Sequence, residues 1–426
     1  LEIIEINGVN YKGKADELLS RGENDFSKID RIVYEILDNV KRNGDKALFE
    51  YTSKFDNVIL KELRVSENEI DEAVQIVGEE FIDILKEARE NIESYHKKQL
   101  QDSWITNDKE GIILGQLIRP LDRVGIYAPG GKAAYPSTVL MNGIPAKVAG
   151  VNSIAMVTPP DKNGKINPYI LAAAKVAGID EIYKIGGAQS IAALAYGTKA
   201  VKPVDKIVGP GNIYVARAKR AVFGLVDIDM IAGPSEICII ADENKNPKFI
   251  AADLLSQSEH DEMASSILIT TSKNLALEVE KEVKRQTMES ERKEIIEKSL
   301  EDYGYIFVVR NIEEAIKISN EIAPEHLEIM IDNPFEMLSK IKNAGAIFLG
   351  EYTPEPVGDY FAGPNHTLPT SGTAKFSSPL GTYDFIKKSS LLYYSKEALE
   401  NIKDKVISFS QAEGLFAHGN SIKVRF

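Results

Sequence analysis

A recurring order of short apolar run, glycine-containing turn and helix-forming stretch constrains this chain more than any other feature. Apolar runs at 124–127, 153–157, 182–185 and 206–208 are each followed by a turn and then a helical pattern. Runs of this length without polar alternation read as strands buried on both faces, and helical connections between them make neighbouring strands parallel. A second alternation follows, with strands expected at 235–240, 266–269, 305–309 and 346–349, helices at 247–259 and 312–322, and a charged helical pair ending near 302. Asn167-Pro168 supplies a capping side chain followed by a proline suited to a first helical turn. The segments 140–157 and 251–269 share a helix, a short turn and a strand, which hints at a duplication. Ligands of open parallel sheets sit beyond the carboxyl ends of the strands. Three glycine turns, Gly130-Gly131, Gly186-Gly187 and Gly209-Pro210-Gly211, are therefore candidate contacts for a dinucleotide. None completes a GxGxxG fingerprint, and Gly130-Gly131-Lys132-Ala133 lacks the flanking residues of a P-loop.

The 426 residues are too many for one ordinary core and are expected to divide into four parts. Residues 1–105 read as a helical N-terminal region, since Ile29, Ile32, Val33, Ile36, Leu37 and Val40 recur at three- and four-residue spacing. Residues 106–234 and 235–378 each read as a strand–helix domain. Residues 379–426 read as helix and turn in a small tail domain. Between 350 and 379 the regular pattern gives way to Gly, Pro, Ser and Thr, which in so long a loop suggests a binding surface.

A composition of 43% hydrophobic and 27% charged residues fits a globular protein. The net charge of -13 repels nucleic-acid phosphate and anionic lipid, so a small-molecule substrate is expected, with neither nucleic acid nor membrane as partner. The absence of a signal-peptide pattern and the single cysteine, Cys238, fit a reducing cytoplasm. Cys238 lies within an apolar run and is read as core rather than as a thiol nucleophile. The chain opens on Leu1 rather than methionine.

Histidine is scarce, with five in the chain. Four stand beside carboxylates or glycines: His260 in Gln257-Ser258-Glu259-His260-Asp261-Glu262, His326 in Ala323-Pro324-Glu325-His326-Leu327-Glu328, His366 after Gly363-Pro364-Asn365, and His418 close behind Glu413. His96 sits in a charged helical run and reads as solvated. A carboxylate next to an imidazole provides two proton carriers of unlike basicity, which makes Glu325 and His326 the candidate catalytic pair. Gln257, His260, Asp359 and His418 mix nitrogen and oxygen donors as Zn2+ or Mn2+ would accept. Gln257 and His260, three positions apart, share a face if their helix continues past Glu259.

Six motifs in order carry a family resemblance: Val208-Gly209-Pro210-Gly211-Asn212, Ala232-Gly233-Pro234-Ser235-Glu236, Leu255-Ser256-Gln257-Ser258-Glu259-His260, Ala323-Pro324-Glu325-His326-Leu327, Gly358-Asp359-Tyr360-Phe361-Ala362-Gly363-Pro364-Asn365-His366, and Glu413-Gly414 through His418-Gly419. They resemble the signatures of the histidinol dehydrogenases from about Arg123 to the C-terminus. The resemblance implies an α/β protein of two incomplete Rossmann-like, aldehyde-dehydrogenase-like parallel-sheet domains. It implies oxidation of L-histidinol to L-histidine through L-histidinal, the last step of histidine biosynthesis, with two NAD+ reduced and one Zn2+ per site. It assigns Gln257, His260, Asp359 and His418 to zinc and Glu325 and His326 to proton transfer. Ser235, Glu413, His326 and the zinc ligands would surround the substrate, and Tyr127, Gln189 and Asn212 would contact NAD. A homodimer whose tail reaches the partner's site is also implied. The rival readings are a zinc-dependent hydrolase, in which Glu325 activates metal-bound water without a redox cofactor, and a non-catalytic nucleotide-binding scaffold.

Overall fold

Two parallel sheets with the same strand order organise the computed structural model, which describes residues 1–6, 11–20, 26–130 and 135–426. In the first, the strands lie in the order Glu181–Lys184, Ser153–Thr158, Arg123–Tyr127, Lys206–Val208, Asp227–Ile228. In the second the order is Glu2–Glu5, Gly304–Val308, Ser265–Thr270, Glu236–Ala241, His326–Met330, Ala346–Leu349. Setting aside the added strand Glu2–Glu5, both sheets run third, second, first, fourth, fifth in chain order, so the expected pair of incomplete Rossmann-like domains is present. The shared order also agrees with the duplication suggested by 140–157 and 251–269. The turn expected around Gly130-Gly131 falls partly on residues 131–134, outside the described residues.

Alternate residues of the first sheet feed two cores. Val124, Ile126, Ile154 and Met156 pack under the helices Pro136–Ala149 and Pro168–Ala177. Tyr127, Ala155 and Val157 face Gly187–Tyr196 and Ile213–Val222. The N-terminal helices have no core of their own. Ser27–Asn43 and Asp45–Phe55 lend their apolar stripes to the second cluster, and Glu67–Val77 and Glu79–Lys97 lend theirs to the first.

Several local features differ from the sequence reading. His96 is fully buried rather than solvated, because it continues the stripe Leu85, Ala88 and Ile92 along its helix; its Nδ1 lies 2.8 Å from the Ile92 carbonyl. The N-terminal region is not helical throughout, as Glu2–Glu5 pairs parallel with Gly304–Val308 at the edge of the second sheet. The tail contains the nine-residue strand Ile386–Tyr394, antiparallel to Ile112–Pro120, which in turn pairs with Trp104–Lys109. That ribbon is mostly exposed, so its sequence lacks the alternation that burial of one face imposes. The strand His326–Met330 is also hidden in the sequence, because His326 and Glu328 interrupt its apolar run although all five residues are buried.

Cys238 lies fully buried mid-strand, and burial pushes its thiol up to about 12, in keeping with the core reading. No helix among the described residues is long and apolar enough to cross a membrane. Ile6 is 3% exposed and continues the edge pairing through its N–H to the Val308 carbonyl at 2.8 Å. Ile6→Ala should therefore cost about 2–4 kcal/mol in denaturant unfolding. A change below about 0.5 kcal/mol, the range of ordinary surface substitutions, would mean that this strand adds nothing to the sheet.

Candidate active site and cofactor cleft

Glu236 and His326 open two adjacent strands, with His326 in register with Ile237. Both backbone polar atoms of Glu236 are taken by the candidate pair. Its N–H donates to Glu325 Oε2 at 3.0 Å, and its carbonyl lies 3.0 Å from His326 Nδ1. When the ring is neutral, a proton on Nδ1 bonded to that carbonyl leaves Nε2 with its lone pair. Nε2 is buried without a hydrogen-bond partner and lies 3.6 Å from Asp359 Oδ1. The pair thus sits at the amino ends of the strands, not the carboxyl ends expected from the sheet class. Beyond the opposite, carboxyl ends an ion-pair network forms: Lys245 lies 2.6 Å from Asp332 and 3.6 Å from Asp242, and the Asp332 N–H donates to Asp242 Oδ2 at 3.0 Å.

The helix Pro247–Ser258 runs back towards the amino ends and delivers Gln257 and His260. It stops at Ser258, but the His260 N–H still bonds the Gln257 carbonyl at 3.2 Å, and Gln257 Nε2 lies 3.4 Å from His260 Nδ1. Gln257 is 1% exposed and its Oε1 has no partner. The short helix Glu355–Tyr360 brings in Asp359, whose charge feels those of His326, His366 and His260. His366 Nδ1 lies 3.0 Å from the Asp359 carbonyl, and Nε2 lies 3.5 Å from Thr138 Oγ1 at the start of a first-domain helix. The site therefore lies between the carboxyl side of the first sheet and the amino side of the second. Ser235 immediately precedes Glu236 and is partly buried.

Burial governs the charges here. It pushes Glu325 up to about 8, against the opposing pull of His326 and with help from Glu236. For His326 burial acts downward, but Glu325, Asp359 and Glu355 outweigh it and raise the imidazole well above its ordinary value. Burial also opposes ionisation of Asp359, yet His326 and His366 bring its carboxyl below the usual value. His366 is lowered by burial.

Three residues not singled out from the sequence complete the surroundings. Glu355 is 2% exposed, accepts from Ser256 Oγ at 3.0 Å, and places a ligating atom within 4.8 Å of those of His326 and Asp359. Its own N–H donates to Glu328 Oε1 at 2.9 Å. Glu328 is hydrogen-bonded to Asp253, and burial raises both carboxyls, Asp253 to about 7. The available signal was a charge inside an apolar strand, Leu327-Glu328-Ile329, together with the four-residue spacing of Glu355 and Asp359.

Glu413 and His418 do not join this cluster within the chain. The helices Lys403–Ala412 and Phe416–Lys423 pack chiefly on each other, and both residues are exposed. Among the described residues, no hydrogen bond or ion pair links either to Gln257, His260 or Asp359.

Tyr127, Gln189 and Asn212 gather at the first sheet's switch point, between Arg123–Tyr127 and Lys206–Val208. Tyr127 Oη accepts from the Gly187 N–H at 3.3 Å, and Asn212 Oδ1 caps the helix Ile213–Val222 by accepting from the Tyr214 and Val215 N–H groups. Gln189 is 1% exposed and its Oε1 is unpartnered. A Cβ on Gly209 would lie 2.2 Å from the Tyr127 carbonyl oxygen, and one on Gly211 would lie 2.4 Å from Val215. The glycines are therefore required by close backbone approach at the place where an open α/β sheet receives a nucleotide.

A sequence model described as histidinol dehydrogenase matches residues 19–426. The chain is 59% identical over 426 residues to a histidinol dehydrogenase of Clostridium acetobutylicum, covering 100% of this chain and 99% of the relative. Over 419 residues it is 57% identical to one from Listeria monocytogenes, with 97% and 98% covered. The crystal structure of histidinol dehydrogenase from Elizabethkingia anophelis superposes with a TM-score of 0.94 at 40% identity, covering 100% of this chain and 98% of that one. These likenesses span both sheets, the cleft between them and the tail, and they give the hydrolase reading no support: the chain belongs to the histidinol dehydrogenase family.

Proposed function

We propose that Glu325 and His326 divide the proton transfers of the two oxidations by which a histidinol dehydrogenase converts L-histidinol to L-histidine. The observation that carries this reading is the double hold on Glu236, which fixes the two side chains side by side and leaves His326 Nε2 facing the cleft. His326 Nε2 accepts the hydroxyl proton in the first oxidation. In the second, Glu325 takes a proton from the water that adds to the aldehyde. Cys238, buried mid-strand with a raised thiol, is excluded as a nucleophile for that step.

The residues present fit both expected cofactors. Gln257 Oε1 and His326 Nε2 are buried and unpartnered beside Asp359 and His260, and Gln189 Oε1 is likewise unpartnered beside the glycine turns. Gln257, His260 and Asp359 would hold zinc together with His418 of the partner subunit, and Tyr127, Gln189 and Asn212 would contact NAD. Zinc, when bound, supplies a positive charge that orients the substrate, and NAD+ supplies the hydride acceptor. Ser235, and Glu413 of the partner subunit, complete the substrate's surroundings. The exposed tail, with Phe409 and Phe416 more than 70% exposed, supports a homodimer in which it docks on the other chain. A cytoplasmic location fits this soluble biosynthetic role.

Glu325 acts as a base only when ionised, so histidinal oxidation should rise with pH through a group near 8, or lower once a dication is bound. Glu325→Gln should remove that limb and slow histidinal oxidation by about 10²-fold or more, while histidinol oxidation falls far less. Single-turnover assays of each step decide the matter, and equal losses would end the division of labour.

Chelation should abolish turnover and leave the far-UV circular dichroism near native, with activity restored by zinc, because the two sheet domains bury large cores that do not depend on the proposed ligands. Cooperative unfolding on chelation would show a structural metal instead.

Subunit mixing tests the tail. Glu325→Gln and His418→Ala chains, each expected to form histidine at about a hundredth of the wild-type rate or less, are unfolded together and refolded. If the tail crosses over, a mixed dimer carries both lesions in one site and none in the other, so about a quarter of wild-type activity should return from random pairing. No recovery above the parents would place each tail on its own chain.

A further inference from the structure

We propose that Lys219 and Asp229 form a buried clamp that presets the turn Gly209-Pro210-Gly211-Asn212 for the dinucleotide, and that both are positioning residues for cofactor binding. This rests on the cofactor reading above. Lys219 lies on the helix Ile213–Val222, and its ammonium pairs with Asp229, their side chains being 3% and 1% exposed. Both reach the same residue. Lys219 Nζ donates to the Gly209 carbonyl at 2.9 Å, and Asp229 Oδ2 accepts from the Gly209 N–H at 2.8 Å. The remaining contact is the Met230 N–H, which donates to Asp229 Oδ1 at 2.6 Å.

A pair buried this deeply adds little net stability over apolar side chains of similar volume, because desolvation offsets the Coulomb attraction. Its hold on one glycine is the more informative feature. Gly209 has φ +106° and ends the short strand Lys206–Val208 directly against the Tyr127 backbone. With its N–H and its carbonyl both bonded to charged groups, its peptides cannot rotate without costing each buried charged group a hydrogen bond. The consequence reaches the cleft. A Cβ at Gly211 would come within 3.1 Å of the Tyr127 ring, and Tyr127 Oη in turn receives the Gly187 N–H beside the unpartnered Gln189 Oε1. The clamp therefore sets the spacing among Tyr127, Gln189 and Asn212. Fixing that spacing in advance raises affinity, since the ligand need not pay the ordering cost.

The test uses the full-length, zinc-loaded enzyme with Lys219→Met, the double variant Lys219→Met/Asp229→Asn, and two comparators. Arg217→Met removes another pair on the same helix, to Asp30, without touching the turn. Gln189→Ala probes the cleft itself. NADH binding is read by fluorescence, histidinol binding by calorimetry and the thermal midpoint by scanning. In both Lys219 variants the NADH dissociation constant should rise about 10-fold or more while histidinol affinity stays within about two-fold. Arg217→Met should lower the thermal midpoint and leave NADH affinity unchanged. The double variant leaves no uncompensated buried charge, so it keeps the test open if the single variant fails to fold. Unchanged NADH affinity in the folded double variant, or an equal loss in Arg217→Met, overturns the clamp. Unchanged affinity in Gln189→Ala overturns instead the cofactor site on which it rests.

Discussion

Everything at the centre of this protein depends on the backbone of one residue, Glu236. Its N–H and carbonyl are bonded to the side chains of Glu325 and His326. The parallel pairing of Glu236–Ala241 with His326–Met330 brings the two segments within reach, although about ninety residues of chain separate them. A shift of register by one residue would turn His326 to the other face of the sheet. The cores on both sides of the sheet resist such a shift, since Ile237, Ile239, Cys238, Ile240, Leu327 and Ile329 are all buried. The geometry of the proposed catalytic pair is thus held by the same packing that stabilises the domain.

The cleft gathers more carboxyl groups than a low-dielectric setting tolerates without compensation. Glu325, Glu328, Glu355 and Asp253 are raised by burial, and Asp359 alone is drawn down, by the imidazoles beside it. Protonation accounts for part of the balance, and backbone donors from Glu236 and Glu355 for more. The proposed zinc supplies the positive charge that this arrangement invites. Its arrival would lower the affinity of Glu325 and His326 for protons and so ready both as bases.

The two sheets share a strand order but use opposite ends. In the first, Tyr127, Gln189, Asn212 and glycines that close approach requires gather at the carboxyl-side switch point. In the second, Lys245 pairs with Asp242 and Asp332 beyond the carboxyl ends, and the candidate pair lies at the amino ends. With the carboxyl side of one sheet facing the amino side of the other, the proposed cofactor and the proposed proton-transfer pair would share one cleft. The segment from Asp359 to His366 bridges them, through Thr138 and the Asn365 amide on the Met141 carbonyl at 2.6 Å.

The sequence alone determined the two strand–helix alternations, the helices at 247–259 and 312–322, the core position of Cys238 and, through six motifs, the family. These are local properties: apolar periodicity, caps and glycine turns leave their mark within a few residues. It did not disclose the strand His326–Met330, since polar residues buried in a strand break the pattern that reveals strands. Nor did it disclose the exposed ribbon built on Ile386–Tyr394, where no buried face enforces alternation. His96 reads as solvated because the charged residues around it in the sequence hide the buried stripe it completes. Only the tertiary structure decided that the site lies at the amino ends of the second sheet, that Glu236, Glu328, Glu355 and Asp253 surround it, and that Glu413 and His418 stand apart from it on their own chain. Such facts follow from which distant segments pack together, and long-range pairing is fixed by the sum of many buried contacts rather than by any short run of residues.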